Sequence, residues 1–156
     1  MEPVDMINER AEAIKEFLTR EGFRPEIEEG DVKLKYEGER LWVIQDEKDL
    51  EYVRVMFFNF WPIESAKERL AVYEAASEVT SGTKGASICV ADDDVSSSVD
   101  LLVGSTEALL KVLPRALEVC GVGAHRFRDA VPRILARMEA EADDSGPETP
   151  KPPAVD

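Results

Sequence analysis

Apolar positions recur through the first twenty residues with the period of a helix. Ile7, Ala11, Ile14 and Leu18 are spaced by four, three and four, and Phe17 widens the stripe. Glu9, Arg10, Glu12, Lys15, Glu16 and Arg20 form the solvated side. Asp5 is placed to cap this helix and Gly22 to end it. The period then falls to two. Val32, Leu34 and Tyr36 alternate with Lys33 and Lys35, which predicts a strand with one wet face. Glu29-Gly30-Asp31 and Glu37-Gly38-Glu39 are turn signals on either side of it, flanked by strand-like runs at Pro25–Glu28 and Arg40–Gln45. A fourth, strongly apolar strand is expected over Glu51–Phe60, completing an antiparallel meander.

Pro62 breaks the strand pattern. A second helix is expected from about Ile63 to Val79, its core stripe Ala66, Leu70, Tyr73 and Ala76 or Ser77, ending at Ser81-Gly82-Thr83. Two more strands follow, Ala86–Ala91 and Val95–Val103, joined through Asp92-Asp93-Asp94. Ser105 or Thr106 then caps a third helix carrying Leu109, Leu110, Val112, Leu113, Ala116, Leu117 and Cys120. Pro114 should kink it or mark a break. Gly121-Val122-Gly123 reads as a hinge, and a last helix follows on Phe127, Ala130, Val131, Ile134, Leu135 and Met138, with Pro132 inside its pattern. The expectation is an α+β domain over residues 1–141, ordered α-β-β-β-β-α-β-β-α-α, with an antiparallel sheet of five or six strands. Residues 142–156 are Pro-rich and acidic and should form a flexible tail.

Two strands are apolar on both sides. In Arg40–Gln45, Leu41 and Val43 alternate with Trp42 and Ile44. In Glu51–Phe60, Val53, Val55 and Phe57 alternate with Tyr52, Met56, Phe58 and Phe60. An antiparallel sheet with one face in water should show polar residues on that face. Three coverings are open: helices on both faces, a second copy of the chain, or a groove that takes another protein or peptide. The candidate partner-binding residues are Trp42, Ile44, Met56, Phe58 and Phe60.

Charge narrows the function classes. The chain has 33 Asp plus Glu against 19 Lys plus Arg, a net charge of −14. That balance argues against non-specific binding to nucleic acid or anionic membrane. No apolar run is long enough to span a bilayer, and the first residues lack the basic start and apolar stretch of a secretory leader, so a cytoplasmic protein is expected. Residues 105–138 hold 3 acids and 6 bases, a basic segment in an acidic chain, next to an acidic end with 6 acids and 1 base over 139–156. The tail is expected to screen Arg126, Arg128, Arg133 and Arg137.

Motifs for chemistry are sparse. His125 is the one histidine, beside Arg126 and Arg128, and reads as a surface residue. Cys89 and Cys120 both lie in apolar stretches and read as buried free thiols, a single bridge between them being the alternative. Asp92-Asp93-Asp94 followed by Ser96, Ser98 and Asp100 fails the calcium-loop pattern, with Ser97 where Gly is needed and Val103 where Glu is needed. Gly82-Thr83-Lys84-Gly85 lacks the spacing of a phosphate loop. No catalytic residue, metal ligand or cofactor is assigned.

The order of elements, with Ile14-Lys15-Glu16-Phe17-Leu18-Thr19-Arg20-Glu21-Gly22-Phe23, Val32-Lys33-Leu34-Lys35-Tyr36-Glu37-Gly38, Asn59-Phe60-Trp61-Pro62 and the 86–103 hairpin before a long helix, resembles the YbjN-like family over residues 5–135. That family's fold is similar to that of type III secretion chaperones. The resemblance implies no enzymatic activity. It implies a small acidic protein, often dimeric, that holds a partner segment on its sheet, or a sensory or stress regulator. The expectation is therefore a non-enzymatic protein-binding module. The alternative is a small-molecule-binding or enzymatic domain with a carboxylate-lined pocket.

Overall fold

The computed structural model describes residues 2–144. Helix α1 spans Pro3–Arg20 and buries the expected stripe, Ile7, Ala11, Ile14 and Leu18. Asp5 lies inside its first turn rather than at the cap, where its carboxylate accepts the Glu2 N–H at 3.3 Å. Gly22, at φ +96°, closes the helix as the amide of Phe23 reaches back to the Leu18 carbonyl at 3.0 Å. Strands β1 (Glu26–Glu28), β2 (Asp31–Tyr36), β3 (Glu39–Gln45) and β4 (Tyr52–Phe57) follow as a meander. Its first two turns are Glu29-Gly30 and Glu37-Gly38, both residues of each at positive φ. Two-residue hairpins need that conformation to match the twist of their strands.

Helix α2 is Ala66–Gly82, capped by the Ser65 hydroxyl, which accepts the Glu68 N–H at 3.1 Å. Strands β5 (Ser87–Ala91) and β6 (Asp94–Leu102) form the second hairpin. The sheet is antiparallel throughout, in the order β1-β2-β3-β4-β6-β5. One long helix, α3, then runs from Thr106 to Asp144.

The class and order are those expected from the sequence, with three helices in place of four. The hinge does not exist. Gly121-Val122-Gly123 lies within α3, as do Pro114 and Pro132. Each proline removes one N–H from the helical ladder. Leu113, Leu117, Val131 and Ile134 are buried beside them, so packing holds the helix through both interruptions. Gly123 serves close approach instead: a Cβ there would lie 2.8 Å from the Ser97 hydroxyl oxygen and 3.1 Å from the Ala86 Cβ. The helix reaches Asp144, past the expected start of the tail at 142. Residues 145–156 lie outside the described residues.

All three helices pack on one face of the sheet. The core joins Ala11, Ile14 and Leu18 of α1 and Leu109, Leu113, Leu117 and Cys120 of α3 to Val32, Leu34, Leu41, Val43, Val53, Val55 and Val99. A second cluster joins Ala71, Val72, Ala75, Ala76 and Val79 of α2 to Phe127, Ala130, Val131 and Ile134 of α3, with Val95. The stripe expected for α2 is therefore displaced. Leu70 is 63% exposed and Tyr73 51% exposed, and small residues pack inward instead.

Candidate functional site

With the helices on one side, the even-numbered residues of β3, β4 and β6 stand on the other. The covering of both faces by helices is thereby excluded among the described residues. Register places Lys33 opposite Trp42, Trp42 opposite Met56 and Met56 opposite Ser98. The next row runs Ile44, Arg54, Asp100. Trp42, Ile44 and Met56 are half-buried by their neighbours, and Phe58 is 41% exposed. Four of the five sequence-selected residues thus share an open face.

The fifth, Phe60, does not. Strand β4 ends at Phe57, not Phe60, because Asn59 takes φ +50° and breaks the alternation. The Asn59 N–H donates to the Ser96 hydroxyl and the Phe60 N–H to the Val95 carbonyl, at 3.1 and 3.0 Å. Phe60 is turned to the helix face, stacked on Phe57 at 5.1 Å and edge-on to Phe127 at 5.5 Å. The Arg128 guanidinium lies 5.4 and 5.3 Å from the Phe57 and Phe60 rings and pairs with Glu39 at 2.9 Å. Phe60 is half-buried and packs against both core clusters, and its assignment to the partner-binding face is corrected.

Charges frame the apolar centre. The Lys33 ammonium sits 5.7 Å from the Trp42 ring and pairs with Glu26 and Glu28 of β1 at 3.5 and 3.3 Å. Asp100 accepts from the Arg54 guanidinium and the Tyr52 hydroxyl, each at 2.6 Å. The Arg54 hydrogen bond outweighs the opposing effect of burial and, with the weaker contribution of the Tyr52 hydrogen bond, holds the Asp100 carboxyl below its usual range. Burial, reinforced by Asp100, pushes the Tyr52 phenol up. Lys35 and Arg40 face each other across β2 and β3, both exposed. Neither has a carboxylate within 4 Å among the described residues. With Arg24 and Lys33 they line a depression of about 460 Å³ in which Glu26 is the one acid. Sequence reasoning placed Lys33 and Lys35 on a wet face but missed this cluster, because Arg24 and Arg40 join it only through the turns.

The other candidates resolve simply. His125 is exposed, 3.4 Å from Asp129 on the same helix. Cys120 is buried, and Cys89 is exposed on the open face, so the expectation of two buried thiols fails for Cys89. Both are free. In the Asp92-Asp93-Asp94 turn, Asp93 pairs with Arg69. No group of three or more His, Cys, Asp or Glu among the described residues is placed to hold a metal, and no helix there is long and apolar enough to cross a membrane. A second depression, about 760 Å³, is lined mainly by Phe17, Phe23, Tyr36, Leu117 and Val119 with Glu21, Arg115 and Glu118. The basic segment 105–138 is largely neutralised within the fold: Arg128 pairs with Glu39, Arg133 with Glu78 and Arg137 with Glu74. Arg126 bonds the Gly82 carbonyl and the Thr83 hydroxyl. These arginines have partners without the tail.

No family model, curated protein or solved structure matches the chain.

Proposed function

We propose that this protein is a non-enzymatic binding module, chaperone-like or regulatory, that holds an extended segment of another protein against its open sheet face. The observation that carries the reading is the placement of every helix opposite Trp42, Ile44, Met56 and Phe58. Half-buried aromatic and methionine side chains offer large contact area to a partner. The charges specify its chemistry. Like charges directly opposite on a sheet destabilise it, and Lys35 faces Arg40 without relief. The segment that fits carries apolar side chains for Trp42 and Met56 and carboxylates for Lys35, Arg40 and Arg24.

Calorimetric titration with synthetic peptides tests this. A peptide alternating Val or Phe with Glu should bind, its Lys counterpart should not, and binding should weaken as salt is raised. Phe58→Asp should abolish binding with the melting midpoint unchanged, and Arg40→Glu should weaken it. Equal binding of both peptides, or of neither, would overturn the proposal.

A further inference from the structure

Helix α2 ends at Gly82 and β5 begins at Ser87, opposite Ser98 of β6. Beyond Ser98, β6 is paired on one side only, with β4. The gap beside it is a depression of about 370 Å³ between the Lys84-Gly85 turn and the first half of α3. Its floor is apolar: Val99 and Leu101 rise from β6, and Val112, Ala116 and Val119 stand on α3. Val112 is 40% exposed there. The turn that walls the depression sits close to α3, since a Cβ on Gly85, at φ +89°, would lie 3.5 Å from the Val119 Cγ1. The charged residues of the lining are Lys84, Lys111 and Arg115, with no acid among them. That is against the composition of a chain with 33 acids and 19 bases. The depression by Phe17 carries Glu21 and Glu118, and the one by Lys35 carries Glu26. Lys111 has a partner one turn away, Glu107 at 3.5 Å, in an exposed pair. The side chains of Lys84 and Arg115 have neither a hydrogen bond nor an ion pair among the described residues.

We propose that this depression binds a free carboxylate with an aliphatic chain, of the medium-chain fatty acid class. The floor asks for a tail: a bare inorganic anion would leave Leu101 and Val112 in water, whereas each methylene laid on them gains affinity with the area it buries. The rim sets the sign of the head. A carboxylate held at the open mouth stays partly hydrated while Lys84 and Arg115 donate to it on flexible stems. Size limits the tail. Pockets for small molecules start at about 300 Å³, so a space of about 370 Å³ takes one short chain and not a two-chain lipid. A lipid in an anionic bilayer is also disfavoured, because a chain of net charge −14 is repelled from that surface. The site lies on the helix side of the sheet, apart from Trp42, Ile44, Met56 and Phe58.

Calorimetric titration of the full chain with sodium hexanoate, octanoate and decanoate, each below its micellar concentration, is the experiment. Decanoate should bind at one site per chain, with affinity rising about two- to fourfold per added methylene, and acetate should not bind. Lys84→Glu with Arg115→Glu should weaken decanoate at least about tenfold, with the melting midpoint unchanged. Lys35→Glu with Arg40→Glu makes the same change in net charge elsewhere and should leave decanoate binding as it was. Val112→Asp should abolish it. Phe58→Asp, which removes peptide binding on the proposal above, should leave decanoate bound, so the two readings fail separately. Phosphatidylglycerol vesicles should not retain the protein on sedimentation. No binding of decanoate, equal weakening by the two charge reversals, loss of binding in Phe58→Asp, or retention by the vesicles would overturn the proposal.

Discussion

Gly123 of α3 lies against Ser97 of β6 so closely that a methyl group added to the glycine would stand 2.8 Å from the serine oxygen. Ser97 is fully buried on the helix face, and its hydroxyl donates to the Cys120 carbonyl at 2.9 Å. The contact seats the middle of the long helix on the sheet. Gly123→Ala should destabilise the fold by about 1–3 kcal/mol, the usual cost of overpacking, despite alanine's better helix propensity. Urea unfolding at constant slope is the measurement. A stabilised variant would show that the helix can lift off the strand at no cost.

Phe58 and Phe60 are two residues apart and should respond oppositely to truncation. Phe60→Ala removes a half-buried ring stacked on Phe57 and held by Arg128, and should cost about 1–3 kcal/mol, less than a fully buried phenylalanine. Phe58→Ala, on the open face, should change the melting midpoint little. Similar losses at both positions would put Phe58 in the core.

The two thiols should separate in a labelling experiment. Burial pushes the Cys120 thiol up to about 11, whereas Cys89 is exposed. A disulfide reagent at mildly alkaline pH should modify one thiol per native chain and two after unfolding. Loss of the first reaction in Cys89→Ser identifies it. Two reactive thiols in the native state would contradict the burial of Cys120.

Asp100 and Asp31 should pull the acid limb of stability in opposite directions. Asp100 has a lowered folded value, so its contribution is present above the unfolded value of 3.8 and is lost as pH falls through the folded one. Asp31 is raised, chiefly by burial and despite accepting the Gln45 N–H, so stability is lost as pH rises from 3.8 through its folded value. Unfolding midpoints between about pH 3 and pH 7 check both. The deficit of Asp100→Asn should shrink toward the acid end. Any advantage of Asp31→Asn should appear only toward neutrality.

Local patterns determined most elements of this protein. The period of α1, the alternation of β2 and β3 and the Glu-Gly turns are properties of neighbouring residues, set by helix and strand geometry and by glycine at positive φ. What tertiary structure decided lay where local rules conflict. Two prolines and Gly121-Val122-Gly123 read as breaks, yet α3 is continuous, because its buried residues on both sides hold it and Gly123 is needed for contact with Ser97. Phe60 carries the parity of the open face, but the left-handed turn at Asn59 turns it against the helix-side clusters. Helix α2 offers two stripes, and the one that packs inward is the small one, Ala71, Val72, Ala75, Ala76 and Val79, against Phe127, Ala130, Val131 and Ile134 of α3. The apolar residues of β3 and β4 were legible on both faces from sequence alone. Which face the helices leave open was not, because that depends on how separate elements share one core.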